Sequence, residues 1–135
     1  MKTNLNLKIQ GHVNIKNQVG IILYNNHNDI DQAIAVAVVA TRLSGGINAD
    51  TNGITQLEFN YGSNLTGLVD ITSYTVEDGV LTLTIILTDE NFIGTLNHLY
   101  LKTPIEETFS SRENINITKE EGETLYITWK LTFII

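Results

Sequence analysis

The sequence predicts a mainly β fold, an antiparallel β-sandwich or barrel-like sheet of about eight strands with one α-helix at about residues 29–44. Three observations carry this. Leu125, Ile127, Trp129, Leu131, Phe133 and Ile135 are apolar at strict period two, with Thr124, Thr128, Lys130 and Thr132 on the other parity. Successive side chains on a strand point to opposite faces, so these six share one face that needs a second layer to cover it. Asp78-Gly79, set between two strand-like runs, is the strongest hairpin signal, because a two-residue primed turn needs positive φ at both positions. The third observation is a single alanine-rich run, residues 33–40, bracketed by helix start and stop signals.

In chain order, Leu5, Leu7 and Ile9 alternate with polar residues as a first strand, which Gln10-Gly11 is expected to break. Val13 and Ile15 form a short second piece, and residues 1–20 read as an N-terminal arm or edge strand of a single domain spanning 1–135. Gly20 opens the apolar run Ile21, Ile22, Leu23 and Tyr24. Residues 25–29 are a polar turn, with Asn28 or Asp29 capping the helix through a short side-chain oxygen. Ile30, Ala33, Ile34, Ala37, Val38 and Thr41 then share a helical face, and Gly45-Gly46 ends it.

Residues 54–60, 68–77, 80–88 and 95–103 read as strands separated by turn formers, and Pro104 ends the last of them because it lacks an N–H donor. Residues 113–119, with Ile115 and Ile117 inward, are the expected hairpin partner of the final strand, residues 124–135.

At 135 residues the chain is long enough for one core without covalent staples. It has no cysteine, which excludes disulfides, zinc–thiolate sites and thiol catalysis. The net charge of −7, with only 8 scattered Lys and Arg, argues against nucleic acid as a partner. Met1-Lys2 is not followed by an unbroken apolar segment, and the apolar run 33–40 is shorter than the ~20 residues of a membrane span. The expectation is a protein with no secretory signal and no membrane partner.

No motif assigns a catalytic residue, cofactor or metal. His12, His27 and His98 fall in different segments without helical i,i+4 spacing. Asn26, Asn28, Asp29 and Asp31 lack the spacing and trailing glutamate of a calcium loop. Ser110-Ser111 is not in a nucleophile elbow, and Glu120, Glu121 and Glu123 sit at an expected solvated hairpin tip. Gly45-Gly46 follows a helix instead of preceding one, so it is no phosphate cradle. Trp129 with Tyr24, Tyr61, Tyr74, Tyr100 and Tyr126 offers aromatic faces for a sugar, although parity puts Trp129 in the core and Tyr126 on the opposite face.

The sequence ends in Phe133-Ile134-Ile135, apolar on both faces of the last strand. Such surface usually marks a contact. Phe133, Ile134, Ile135 and Tyr126 are therefore the interface candidates.

Several of these features together resemble the small virion structural proteins of tailed bacteriophages, of the collar, baseplate and tail-fibre-attachment type. The resemblance rests on the asparagine-bearing turn and alanine-rich helix of residues 25–43, on Leu57-Glu58-Phe59-Asn60-Tyr61-Gly62, and on a closing strand of the "l-x-i-x-W-x-l-x-F" sort at residues 125–133. It covers most of the chain from Asn25 onward. It implies a non-enzymatic structural subunit of a tail, collar, baseplate or fibre attachment, located in the virion and assembled in the host cytoplasm. Its implied partners are other virion proteins and copies of itself. A carbohydrate-binding or adhesin module, with a glycan as partner, and a capsid decoration protein are the alternatives.

Overall fold

The computed structural model describes residues 8–30, 54–78, 80–103 and 108–134. Ten strands run through them: β1 (Lys8–Lys16), β2 (Ile22–Ile30), β3 (Gln56–Tyr61), β4 (Leu65–Asp70), β5 (Ser73–Glu77), β6 (Val80–Leu87), β7 (Gly94–Lys102), β8 (Thr108–Arg112), β9 (Ile117–Lys119) and β10 (Leu125–Ile134). All pairings are antiparallel. One sheet runs β5-β6-β10-β1-β2, the other β4-β3-β7-β8, with β9 also on β7. Their apolar faces share one core, so the sandwich expectation holds at the level of architecture.

The core follows from parity. On β10, Leu125, Ile127, Trp129 and Leu131 are buried, as the alternation predicts. Each meets an apolar neighbour across the ladder: Ile15 and Ile85 flank Ile127, and Val13 and Leu83 flank Trp129. The second sheet supplies Leu57, Phe59, Leu96, Leu99, Leu101 and Phe109 to the same cluster.

Two chain segments change sheets and close the long sides of the sandwich. β2 pairs with β1 through most of its length, then with β8 at Asp29 and Ile30. On the other side, β4 pairs with β3 and β5 with β6. Between them Ile71 N–H donates to Thr55 O at 3.2 Å and Thr72 N–H to Thr84 O at 2.9 Å, one toward each sheet. Successive amides of an extended strand point to opposite edges, so one bent segment serves both sheets.

Four expectations are corrected. Ten strands are present where about eight were expected, partly because the run 68–77 divides into β4 and β5 around Ile71 and Thr72. No helix occurs among the described residues; Asn28, Asp29 and Ile30, read as its start, belong to β2, and residues 31–44 lie outside the described part. Asn28 pairs with Gly11 of β1, and Asp29 and Ile30 pair with Ser111 and Ser110 of β8, so their backbones belong to ladders. Gly11 does not break the first strand, because neighbours at both edges, Leu131 and Asn28, hold it in the ladder. Finally, β10 pairs with β1 and β6, whereas residues 113–119 contribute only the short β9, paired to β7. Ile115 and Ile117 are nevertheless buried, as parity suggested. Residues 8–16 of the N-terminal stretch form an interior strand between β10 and β2.

β5 and β6 pair as a hairpin with Glu77 opposite Val80 and Asp78 at φ 50°, where the sequence signal placed the turn. Gly67 on β4 lies directly opposite Phe59, and a Cβ there would sit 2.3 Å from the ring's Cζ. The ring of Phe59 covers the glycine while packing 5.4 Å from Phe92. Gly67→Ala must therefore push a buried ring into a full core. It is expected to lower stability by ~1–3 kcal/mol, measured as a reduced urea midpoint at an unchanged m-value.

Candidate interaction surfaces

The loop joining β1 to β2 is built by Asn17. Its N–H donates to Ile21 O at 3.1 Å, and its carbonyl accepts from Gly20 N at 3.1 Å. Its side-chain oxygen accepts from Val19 N at 3.1 Å and Ile21 N at 3.0 Å. Gln18 Oε1 accepts from Thr124 N at 3.2 Å, tying the loop to the start of β10. The fixed backbone nonetheless turns its apolar side chains outward: Val19 is 71%, Ile21 58% and Ile22 53% exposed. Ile22 lies opposite Lys16, Lys16 opposite Tyr126, and Tyr126 opposite Ile86, so the row leading from the loop across three more strands sets one lysine among apolar and aromatic residues. Tyr126 is 39% exposed, as its parity predicted. The backbones of Phe133 and Ile134 pair with Ile9 and Lys8. Their side chains, and all of Ile135, lie outside the described residues.

The rest of the outer face of this sheet is polar. Thr75, Thr82, Lys130, His12 and His27 form one row across five strands, and Ser73, Thr84, Thr128, Asn14 and Asn25 form the next. His12 and His27, far from any motif spacing, meet across β1 and β2; their rings stand edge to face at 5.2 Å, and His12 Nε2 is hydrogen-bonded to Asn25 Oδ1. A shallow cleft of about 270 Å³ runs between His12, Asn14, Lys16, Asn25, Thr128 and Lys130. His98 stands apart, on β7 of the other sheet.

At the opposite long side, β5 is exposed throughout. Val76 is 77% exposed, and Asp70, Glu77 and Asp78 lie at the ends of β4 and β5. Tyr74 anchors this strand by donating its hydroxyl to Ile54 O at 2.6 Å. Burial, and then the nearby Asp70 charge, pushes the Tyr74 hydroxyl pKa up, so it stays a donor.

The tyrosines do not form one platform. Tyr61 packs against Phe59 and Phe92 at 5.7 and 5.2 Å, Tyr24 accepts from Arg112 Nε, and Tyr100 and Tyr126 lie on different sheets. Trp129 is fully buried. Ser110 is buried in β8, and Glu120 and Glu123 close the β9–β10 turn, Glu120 N–H donating to Glu123 Oε1 at 2.8 Å. Among the described residues no three His, Asp or Glu side chains converge as metal ligands. None of their helices is long and apolar enough to cross a membrane.

Lys119 was not singled out by sequence, yet its side chain is 0% exposed. It lies in the core-facing parity of β9 beside Ile117, with its ammonium 5.8 Å from the Phe92 ring centre. There it pairs with Asp89, which also accepts from Gly122 N at 2.9 Å. The apolar stem fills the end of the core while the charge meets its partner at the rim.

Comparison with family models, curated proteins and solved structures finds no match for this chain.

The Lys119 hydrogen bond, followed by that of Gly122, holds the Asp89 carboxyl below its ordinary value. A depressed carboxylate stabilises the fold above its unfolded pKa of ~3.9, and that stability is lost as pH falls through the lower folded value. Asp89→Asn is expected to lower the melting temperature at neutral pH and to flatten its acid dependence in that window. Lys119→Met, which keeps the volume and frees Asp89 to water, is expected to be the milder change by thermal denaturation.

Proposed function

We propose that the chain is a non-enzymatic structural subunit, of the tailed-phage virion kind its sequence resembles, that joins copies of itself head to tail and docks on other virion proteins. The observation that carries this reading is the pre-ordered β1–β2 loop, which presents Val19, Ile21 and Ile22 to solvent beside Tyr126. Because the backbone is already fixed, little entropy is lost when the loop docks.

A second copy is the favoured occupant because the two sides of the molecule are complementary. The loop side combines apolar residues with Lys16; the β5 side combines Val76 and Tyr74 with Asp70, Glu77 and Asp78. A contact between unlike patches is heterologous, and repeated it builds a ring where its rotation closes and a filament where it does not. Full burial of each such apolar side chain contributes about 1.5–3 kcal/mol, against an association cost of about 4–15 kcal/mol. One contact of this size is weak. A ring gives each subunit two, and the second forms at high effective concentration. Assembly into a virion body, which is where the proposal places the protein, supplies that multiplicity.

Light scattering across a concentration series tests it. The purified chain is expected to rise above its 15.0 kDa monomer mass as concentration increases. Ile21→Asp and Glu77→Lys are each expected to weaken association at least tenfold, and Thr128→Ser to leave it unchanged. A mass that stays monomeric at the highest soluble concentration defeats the reading.

A further inference from the structure

On the second sheet, β7 carries an irregularity. Asn60 pairs with His98 but its neighbour Tyr61 pairs with Leu96, so Asn97 is the extra residue. Bulges of this kind re-aim side chains. On its other edge β7 is paired by β9 at residues 94–96 and by β8 at 99–102. The loop 113–116 crosses the interval between them. There Ile115 N–H donates to Asn97 O at 2.9 Å and the Ile115 side chain is buried. Asn114 and Asn116, on either side, hold left-handed φ of 59° and 56°, a conformation asparagine tolerates better than most residues. Both side chains project to solvent. Together Asn97, His98, Asn114 and Asn116 line a cleft of about 470 Å³.

The chemistry of that cleft is specific. Every lining side chain is a neutral amide or an imidazole. Asn97 Nδ2 donates to Gly62 O at 3.2 Å and to Asn60 Oδ1 at 3.5 Å, which fixes its orientation. Asn60 in turn donates to Asn64 at 3.1 Å. His98 Nδ1 is buried without a partner among the described residues. The Tyr100 ring stands 6.2 Å from that of His98, two residues along the same strand. No cation and no carboxylate is among the four lining residues, and the nearby Glu113 is engaged by a hydrogen bond with the Tyr100 hydroxyl. An apolar ligand would leave the amides unpaired. A hydroxyl group both donates and accepts, and so does an amide, so the group that satisfies this lining is a polyol.

We propose that this cleft binds a neutral saccharide, with Asn97, Asn114 and Asn116 hydrogen-bonding its hydroxyls and Tyr100 offering a ring face beside them. The site lies on the other sheet from the β1–β2 loop and does not depend on the assembly reading.

The test uses the isotopically labelled full chain titrated with the methyl glycosides of glucose, galactose, mannose and N-acetylglucosamine, beside an array carrying neutral, sialylated and sulfated glycans. The expected result is saturable, millimolar shifts at the side-chain amides of Asn97, Asn114 and Asn116 and at the His98 ring for at least one neutral sugar. Asn114→Gly and Asn116→Gly keep the left-handed backbone while removing the amides. They are expected to weaken binding at least tenfold with no loss of melting temperature. Ile21→Asp, which targets assembly, is expected to leave binding intact. The proposal is overturned by no saturable shift with any of the four glycosides, by binding restricted to sialylated or sulfated glycans, or by binding that persists in both glycine variants.

Discussion

The structure depends on one constraint: β10 must bury an entire face between two long neighbours. Trp129 sets its scale. Burying such a side chain removes about 150–250 Å² from water, worth about 4–6 kcal/mol at ~25 cal/mol/Å². Its indole N–H is buried without a partner, which costs about 1–3 kcal/mol. The apolar term wins, so the orphan donor is tolerated at the centre of the core. Val13 and Leu83 then have to lie alongside, which fixes the registers of β1 and β6 at once. A one-residue slip of either would turn Ile15 or Ile85 to water.

With those three strands fixed, the remainder must cover them. The second sheet does so with Leu57, Leu99 and Leu101, and the sides are closed by segments that belong to both sheets. The end is closed differently. Lys119 occupies a core-facing position where an aliphatic residue would be expected, and its charge is matched by Asp89 at the rim. A buried ion pair is rarely the most stable filling for such a position. What it provides is geometry: Asp89 also holds Gly122, so one carboxylate sets the β9–β10 turn that leads into β10.

Parity made β6, β10 and the second half of β1 legible, along with the Asp78-Gly79 hairpin, because each is a local signal. The partners of β10 were not legible. A local hairpin with residues 113–119 was the natural reading, yet the true neighbours come from the far end of the sequence and from β6, and a single sequence carries no signal of such pairings. β2 was missed for another reason. Asn25 and His27 face outward within a polar row, and Asn26 lies opposite Val13, so no apolar alternation marks the strand. Composition there says turn; ladder bonds on both sides say strand, and the ladder prevails. At the candidate interface, Tyr126 was found by parity alone. Ile21 and Ile22 read only as an apolar run opened by Gly20, and Val19 was not singled out. Consecutive apolar residues cannot all face one side of a strand, and that is the signal that some of them lie outside. The amide cleft was invisible, since Asn97 and Asn116 are joined only by a bulge and a loop.

The sheet-changing segments explain where the surface is unguarded. A strand that pairs with β3 in its first half and β6 in its second presents an unpaired edge in each half. Isolated proteins usually protect such edges with lysine, proline or inward charges. β4 and β5 carry none of the first two, and Val76 is left facing water. The bend that closes the sandwich therefore also exposes it, and shielding the edge with a bulge would move the amides of Ile71 and Thr72 that reach both sheets. β2 also changes sheets, but at Asp29 and Ile30, the far end of the strand from the apolar β1–β2 loop. At β4 and β5, closure and exposure are therefore two consequences of one piece of geometry, whereas the β1–β2 loop is exposed because Asn17 fixes its backbone with the apolar side chains turned outward.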